Sequence, residues 1–187
     1  MPPKVKITKD DIICVSLDLI RKNGSSALNA RNVAEELKCS TQPLFSNFST
    51  MEELQGEVMK AVYELYLDYS KKEVESGKYP QYKSMGMAYI GFAKEEKELF
   101  KLLFMCDRRG KDQRPTVEFE TVVEMISESL GITKEKAQLM HLEIWMFVHG
   151  IATMIATSFL EPELDLISDM LTDVYQGIRA RVLSKES

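Results

Sequence analysis

The chain has 187 residues, 44% of them hydrophobic and 28% charged, with a formal net charge of −5. That length is enough for a small domain beside a larger one, or for one compact helical body, with ample core. The acidic balance excludes a uniformly basic nucleic-acid coat, yet residues 1–50 carry seven basic groups against five acidic ones, +2, leaving −7 for the remainder. A head that touches DNA and a body that does not would show this asymmetry.

In chain order, the first expected helix spans residues 8–23, where Ile13, Leu17 and Ile20 recur at helical spacing with Ile12 and Leu19 beside them. Gly24 is a natural stop, since glycine enters the left-handed conformation without strain. Asn29 is placed to cap a second, short helix whose apolar stripe is Val33, Ala34 and Leu37. The turn Lys38-Cys39-Ser40 leads to a third helix with Ser40 or Thr41 as cap and Pro43 in its first turn. Leu44, Phe45 and Phe48 are expected to face inward, leaving Thr41, Gln42, Ser46 and Asn47 as a polar outer face suited to base edges and phosphates. Thr50 and Glu53 have the spacing of a capping box ahead of the apolar series Leu54, Val58, Ala61 and Leu65. Two short helices, a tight turn and a capped third start are the layout of a helix-turn-helix.

These residues resemble the N-terminal pattern of the tetracycline-repressor (TetR) family of bacterial one-component regulators. The matching elements are a helix ending in Gly24, then Asn29-x-Arg31-x-Val33-Ala34, Leu44-Phe45-x-x-Phe48, and Glu52-Glu53-Leu54. The resemblance covers about the first third of the chain and implies a helix-turn-helix DNA-binding domain over 1–50 and a ligand-binding and dimerisation domain over 51–187. It implies phosphate contacts from Arg31, Ser40 and Thr41, with Gln42, Ser46 and Asn47 as candidates for base contacts. Four positions depart from the family's habit. Lys38 and Gln42 stand where glycines are common, Phe45 replaces a phosphate-reaching tyrosine, and Met51 replaces a lysine. Each lost phosphate contact would remove salt-dependent affinity.

The rest of the chain predicts six more helices, for about nine in an all-α fold. They are expected over 51–74, 82–93, 94–105, 116–130, 133–160 and 163–183, with breaks at Ser76-Gly77-Lys78-Tyr79-Pro80, at a charged loop over 107–115, at Gly131 and at Glu161-Pro162. Residues 144–160 contain no charged side chain, but the run is shorter than the roughly 20 apolar residues of a membrane span and is interrupted by His149, Thr153, Thr157 and Ser158. No membrane association is expected. A helix apolar all round is buried all round, so one face is expected to meet a partner. Gly150, Ala152 and Ala156 would let a second helix approach, and Leu171, Val174 and Ile178 on the ninth helix supply a matching stripe. Two copies would then form a four-helix interface with two-fold symmetry, as the family's last helices do, and read a pseudo-palindromic double-stranded DNA operator.

Trp145-x-x-x-His149-Gly150 resembles a pattern in one subset of the family's effector domains. On the residues alone, His149 is either a satisfied core histidine or the wall of a ligand pocket. Eleven methionines in the chain, with Met85, Tyr89, Phe104 and Trp145, make a mostly apolar effector pocket plausible for an unidentified small molecule. A ligand between helices four to eight would act by shifting helix four and with it the spacing of the two heads. His141 and His149 lie two turns apart with no third ligand at suitable spacing, so neither metal nor cofactor is expected. No GxSxG, HExxH or phosphate-cradling glycine loop occurs, and no enzymatic activity is expected. Cys14 and Cys39 read as small apolar fillers, whereas Cys106, beside Arg108 and Arg109, could be redox-responsive. Three scattered cysteines and the polar opening after Met1-Pro2-Pro3-Lys4 point to a reducing cytoplasm. The expectation is a homodimeric, ligand-responsive repressor. The alternative is a protein-binding adaptor or coactivator that keeps the fold without autonomous DNA recognition.

Overall fold

The computed structural model describes residues 7–106 and 117–184. The described residues form nine α-helices and a single 3-10 turn, with no strand: α1 (Lys9–Asn23), α2 (Ala30–Glu36), α3 (Gln42–Asn47), α4 (Met51–Glu75), α5 (Gln81–Glu95), α6 (Lys97–Phe104), α7 (Val117–Leu130), α8 (Lys134–Ala156) and α9 (Leu164–Ser184). The charged loop with Arg108 and Arg109 lies outside the described residues.

The chain divides into two compact units. The first holds the described residues up to Tyr69 together with Glu95–Cys106, and the second holds Ser70–Lys94 and the described residues after 106. The boundary therefore falls within α4 and at the end of α5, and α6 belongs with the helix-turn-helix.

In the first unit, α1 opens with a reciprocal capping box: Thr8 Oγ1 accepts from the Asp11 amide at 3.1 Å and the Asp11 carboxylate accepts from the Thr8 amide at 2.9 Å. Its buried side is Ile12, Ser16, Leu19 and Ile20, turned from the stripe the spacing predicts, so Ile13 and Leu17 are only part-buried and Cys14 is exposed. The buried Ser16 hydroxyl is satisfied by donating to the Ile12 carbonyl at 2.7 Å. Asn29 caps α2 by accepting from the Asn32 amide at 3.0 Å. The following turn places Lys38 at φ 53, the left-handed conformation for which glycine has no steric penalty. Before α4, Thr50 Oγ1 accepts from the Glu53 amide at 3.2 Å, but the Glu53 carboxylate reaches the amide of Ser49 at 2.6 Å, one residue ahead of the expected position. The bond from Ser49 also holds the Glu53 carboxyl below the usual range.

Two acidic residues fasten α6 to the rest of the first unit. Arg21 grips Glu96 in a forked pair, Nε to Oε2 at 2.9 Å and Nη2 to Oε1 at 2.8 Å, and also reaches Asp18 at 3.1 Å. The Tyr69 hydroxyl donates to Glu95 at 2.9 Å. Leu99 and Phe100 are fully buried, and Phe104 meets Tyr66 edge-on with ring centroids 5.1 Å apart.

The second unit is built from α5, α7, α8 and α9. Every residue of α5 from Met87 to Ala93 is buried. At Gly86 an added methyl would stand 3.4 Å from Val148 and 3.7 Å from Leu171, in ordinary van der Waals contact with α8 and α9. Thr133 caps α8 at the expected place. The helix ends at Ala156, four residues short of the expected end, because Ser158 turns left-handed at φ 54 and leaves Phe159 81% exposed. Among the described residues α8 alone is long and apolar enough to cross a membrane, yet Met140, Ile144, Val148, Ile151 and Ile155 on one side are buried in its own unit.

Candidate functional sites

The third helix is six residues long and is held by the pair Leu44 and Phe48, each 1% exposed. Successive helical side chains are about 100° apart, so Phe45 cannot share that side. It is 47% exposed, a correction to the inward placement that its apolar character suggests. Thr41, Gln42, Phe45 and Ser46 make the outer face, with Ser40 exposed just before it and Arg31 exposed on α2. Thr41 is the N-cap, one of the two residues expected there, although its side chain makes no cap bond.

Hydrogen bonding sorts the polar candidates. The part-buried Asn47 amide donates to the Pro43 carbonyl at 2.8 Å and the Ile7 carbonyl at 3.3 Å, so both donors are turned into the head. Ser46 donates to the Gln42 carbonyl at 2.9 Å, keeping its oxygen as an acceptor. Among the described residues nothing engages the side-chain amide of the exposed Gln42. Lys9 sits 5.0 Å above the Phe48 ring and 3.7 Å from Glu53, tying the start of α1 to the end of α3.

In the second unit the two histidines occupy separate, similar settings. His141 Nδ1 is 2.9 Å from the Tyr82 hydroxyl, and His149 Nδ1 is 2.8 Å from the Tyr89 hydroxyl. Each tyrosine is on α5 and each histidine on α8. The core reading of His149 is therefore satisfied at one nitrogen, while its ring still forms part of a surface, because Trp145 stacks on it at 5.2 Å with 16° between planes and is 41% exposed. Tyr89 is 5% exposed and Met85 is part-buried on the same helix. Phe104 belongs to the first unit, and the other four residues expected to form a pocket belong to the second. One turn beyond His149, Thr153 Oγ1 is shielded from solvent and has no hydrogen-bond partner among the described residues. The described residues contain no cluster of three metal-ligating side chains.

Burial pushes His141 down to about 4 and lowers His149, while burial raises the Tyr82 hydroxyl. Tyr82 from α5, Phe119 from α7 and the Tyr175 ring from α9 surround this pair and offer His141 no carboxylate. In acid the unfolded chain takes up a proton at His141 that the folded chain refuses. Its contribution is therefore complete above pH about 6.5 and lost as pH falls from there towards 4, about 2 kcal/mol once solvent screening of this part-buried ring is allowed for. Urea unfolding of the wild type and of His141→Gln at pH 7 and pH 4.5 should give a smaller acid loss in the variant. Equal losses would show that His141 takes up its proton in the folded state.

The six residues expected at a partner interface separate by burial. Ala152, Ala156 and Leu171 are 0%, 1% and 5% exposed inside their own unit, and Val174 and Ile178 are part-buried. Core packing has used the small residues that seemed free for a partner. Gly150 alone opens outward, with nothing within 4 Å of an added methyl, and Gly177 on α9 is equally open. On the same two helices Met146 is 58%, Met154 42%, Leu166 54% and Met170 38% exposed. Of these residues sequence reasoning named only Gly150. The signal for this face was the i, i+4 and i+8 series Met146, Gly150, Met154 and the pair Leu166, Met170.

No protein-family model and no curated protein matches this sequence. Solved structures do. A protein of unknown function from Rhodococcus sp. RHA1 superposes with TM-score 0.74 at 18% identity over 95% of this chain and 98% of its own. A TetR-like transcriptional regulator from the same organism gives TM-score 0.66 at 16% identity over 98% of both chains. A TetR variant from Acinetobacter baumannii AYE in complex with minocycline gives 0.60 at 17% identity over 97% of both chains. At these identities the likeness is one of fold, and the fold is TetR-like and all-α.

Proposed function

We propose that the chain is a homodimeric, ligand-responsive, cytoplasmic transcriptional regulator, a repressor that leaves a pseudo-palindromic operator when a small apolar molecule binds. The observation that carries this reading is α3: a six-residue helix anchored by Leu44 and Phe48, with the unengaged Gln42 amide, Thr41 and Ser46 facing solvent. Short exposed helices of this kind place side chains on base edges in the major groove. Arg31, Ser40 and Thr41 are the phosphate contacts in this reading, and Gln42 with Ser46 the base contacts. Asn47 becomes a positioning residue, because its donors are already spent on the head.

Dimerisation is assigned to the outer face of α8 and α9, through Met146, Gly150, Met154, Leu166, Met170 and Gly177. An apolar face rimmed by polar side chains marks an interaction surface, and the two open glycines suit close helix approach. The effector site is assigned to the second unit, where Trp145 and His149 form an aromatic wall beside the unpaired hydroxyl of Thr153, with Tyr89 orienting the histidine and Met85 nearby on α5. The minocycline complex of the A. baumannii variant supports a small-molecule role for this fold. An effector releases DNA only if it favours a head spacing that DNA does not. Neither catalysis nor a cofactor is part of the proposal.

Selection of the purified protein on random-sequence duplexes at about 150 mM salt, where non-specific binding is suppressed, tests the reading. Enrichment of an inverted repeat is the expected result. Failure to enrich any sequence, from folded dimeric protein, would overturn it in favour of the adaptor.

A further inference from the structure

The DNA-binding reading leaves one side chain of α3 without a task. Phe45 is a large apolar group, 47% exposed, on a face whose other members are polar. It stands outside the buried core of the head, to which α3 contributes Leu44 and Phe48. It has no hydroxyl or amine with which to hold a phosphate, and among the described residues no ring or cation contacts it. Its neighbours on the helix surface are Gln42, three residues before it, and Thr41, four before it, the two spacings that place side chains side by side.

The major-groove edge of DNA has one apolar feature among its donors and acceptors, the 5-methyl group of thymine. A glutamine amide with donor and acceptor both available pairs with the N6 and N7 of adenine, and the Gln42 amide is in that state. We propose, resting on the DNA-binding reading above, that Phe45 is a specificity-determining residue that packs on thymine 5-methyl groups while Gln42 reads adenine beside it. The pair thus selects A·T-containing steps. With no hydroxyl for a phosphate, the Phe45 position adds discrimination and not sequence-independent affinity. Burying a methyl group against an aromatic face removes apolar surface from water on both sides, and neither partner loses a hydrogen bond.

The test uses the full-length protein and the duplex obtained from random-sequence selection. Each thymine of the half-site is replaced in turn by deoxyuridine, which lacks only the methyl group, and affinity is read by fluorescence anisotropy at about 150 mM salt. At one position or more, the replacement should weaken binding about 4-fold in one half-site and about 15-fold in both, the scale set by one buried methyl each. Phe45→Ala should lose affinity for the thymine duplex and bind both duplexes alike, and Phe45→Leu should keep part of the preference. Because Phe45 lies outside the core, unfolding curves should show these variants as stable as the parent. Equal binding of thymine and uracil duplexes by a protein that still enriches a specific operator would overturn the assignment alone. So would a preference that persists in Phe45→Ala, which would give the methyl contact to another side chain. If no operator is enriched, this assignment and the DNA-binding reading fall together, and Phe45 becomes an anchor for a protein partner.

Discussion

Met146→Glu is expected to turn the proposed dimer into a folded monomer. In the isolated chain Met146 is 58% exposed, so a carboxylate there stays hydrated and the protomer should keep its helicity and unfolding midpoint. In a two-fold interface each copy would instead bury a charge near its own symmetry mate. An uncompensated buried charge costs about 3–5 kcal/mol, enough to weaken association by about two to four orders of magnitude. Sedimentation at micromolar concentration should show a twofold drop in mass, and specific DNA binding should fall with it because a single head reads a single half-site. Ala152→Glu is the contrasting variant. Ala152 is 0% exposed within its own unit, so that change should unfold the protomer instead of splitting a dimer. A Met146→Glu protein that remains dimeric would place the interface elsewhere.

Phe48→Ala is expected to produce the largest loss of stability in the first unit, and its neighbour three residues back almost none. Phe48 is 1% exposed and is the C-cap of α3, joined to α1 by the Lys9 contact at 5.0 Å. Removing a ring from such a site costs about 3–5 kcal/mol through lost transfer energy and the cavity left behind. A short helix has little else to hold it, so α3 should lose hydrogen-exchange protection before the rest of the protein. Phe45→Ala, on the exposed side of the same helix, should change unfolding free energy by no more than about 0.5 kcal/mol. Urea unfolding of the two variants in parallel gives the comparison. Similar losses for both would mean that Phe45 is a core residue after all.

The two phenylalanines also mark the limit of what local pattern can convey. The short-range signals are all in the order of residues. Asn29, Thr50 and Thr133 cap helices where their spacing predicts, Gly24 and Gly131 take the left-handed φ values of 78 and 64, and nine helices follow in the expected order among the described residues. Caps, stops and periodicity involve groups within about one helical turn of one another, so adjacent residues suffice to specify them. The outward placement of Thr41, Gln42 and Ser46 was legible for the same reason, since polarity alone assigns them to water.

Which apolar residue of several goes inside is a different question, decided by what the helix packs against. Leu44, Phe45 and Phe48 are alike in hydrophobicity, and only two of them fit the side of α3 that meets the head. Ala152 and Ala156 seemed free for a partner because they are small, but smallness served the internal packing of α8, leaving Met146, Gly150 and Met154 outside. Asn47 looked like a base-reading amide until Ile7, 40 residues away, supplied a carbonyl for it. The grip of Arg21 on Glu96 spans 75 residues and assigns α6 to the head's unit, and no periodicity could have revealed it. The sequence by itself determined the number and order of the helices, most of their caps and stops, that the fold is all-α, and which polar residues of α3 face water. The tertiary structure alone decided which face of each helix is spent on the core and which remains for a partner, because that choice depends on the surfaces of helices distant in the chain.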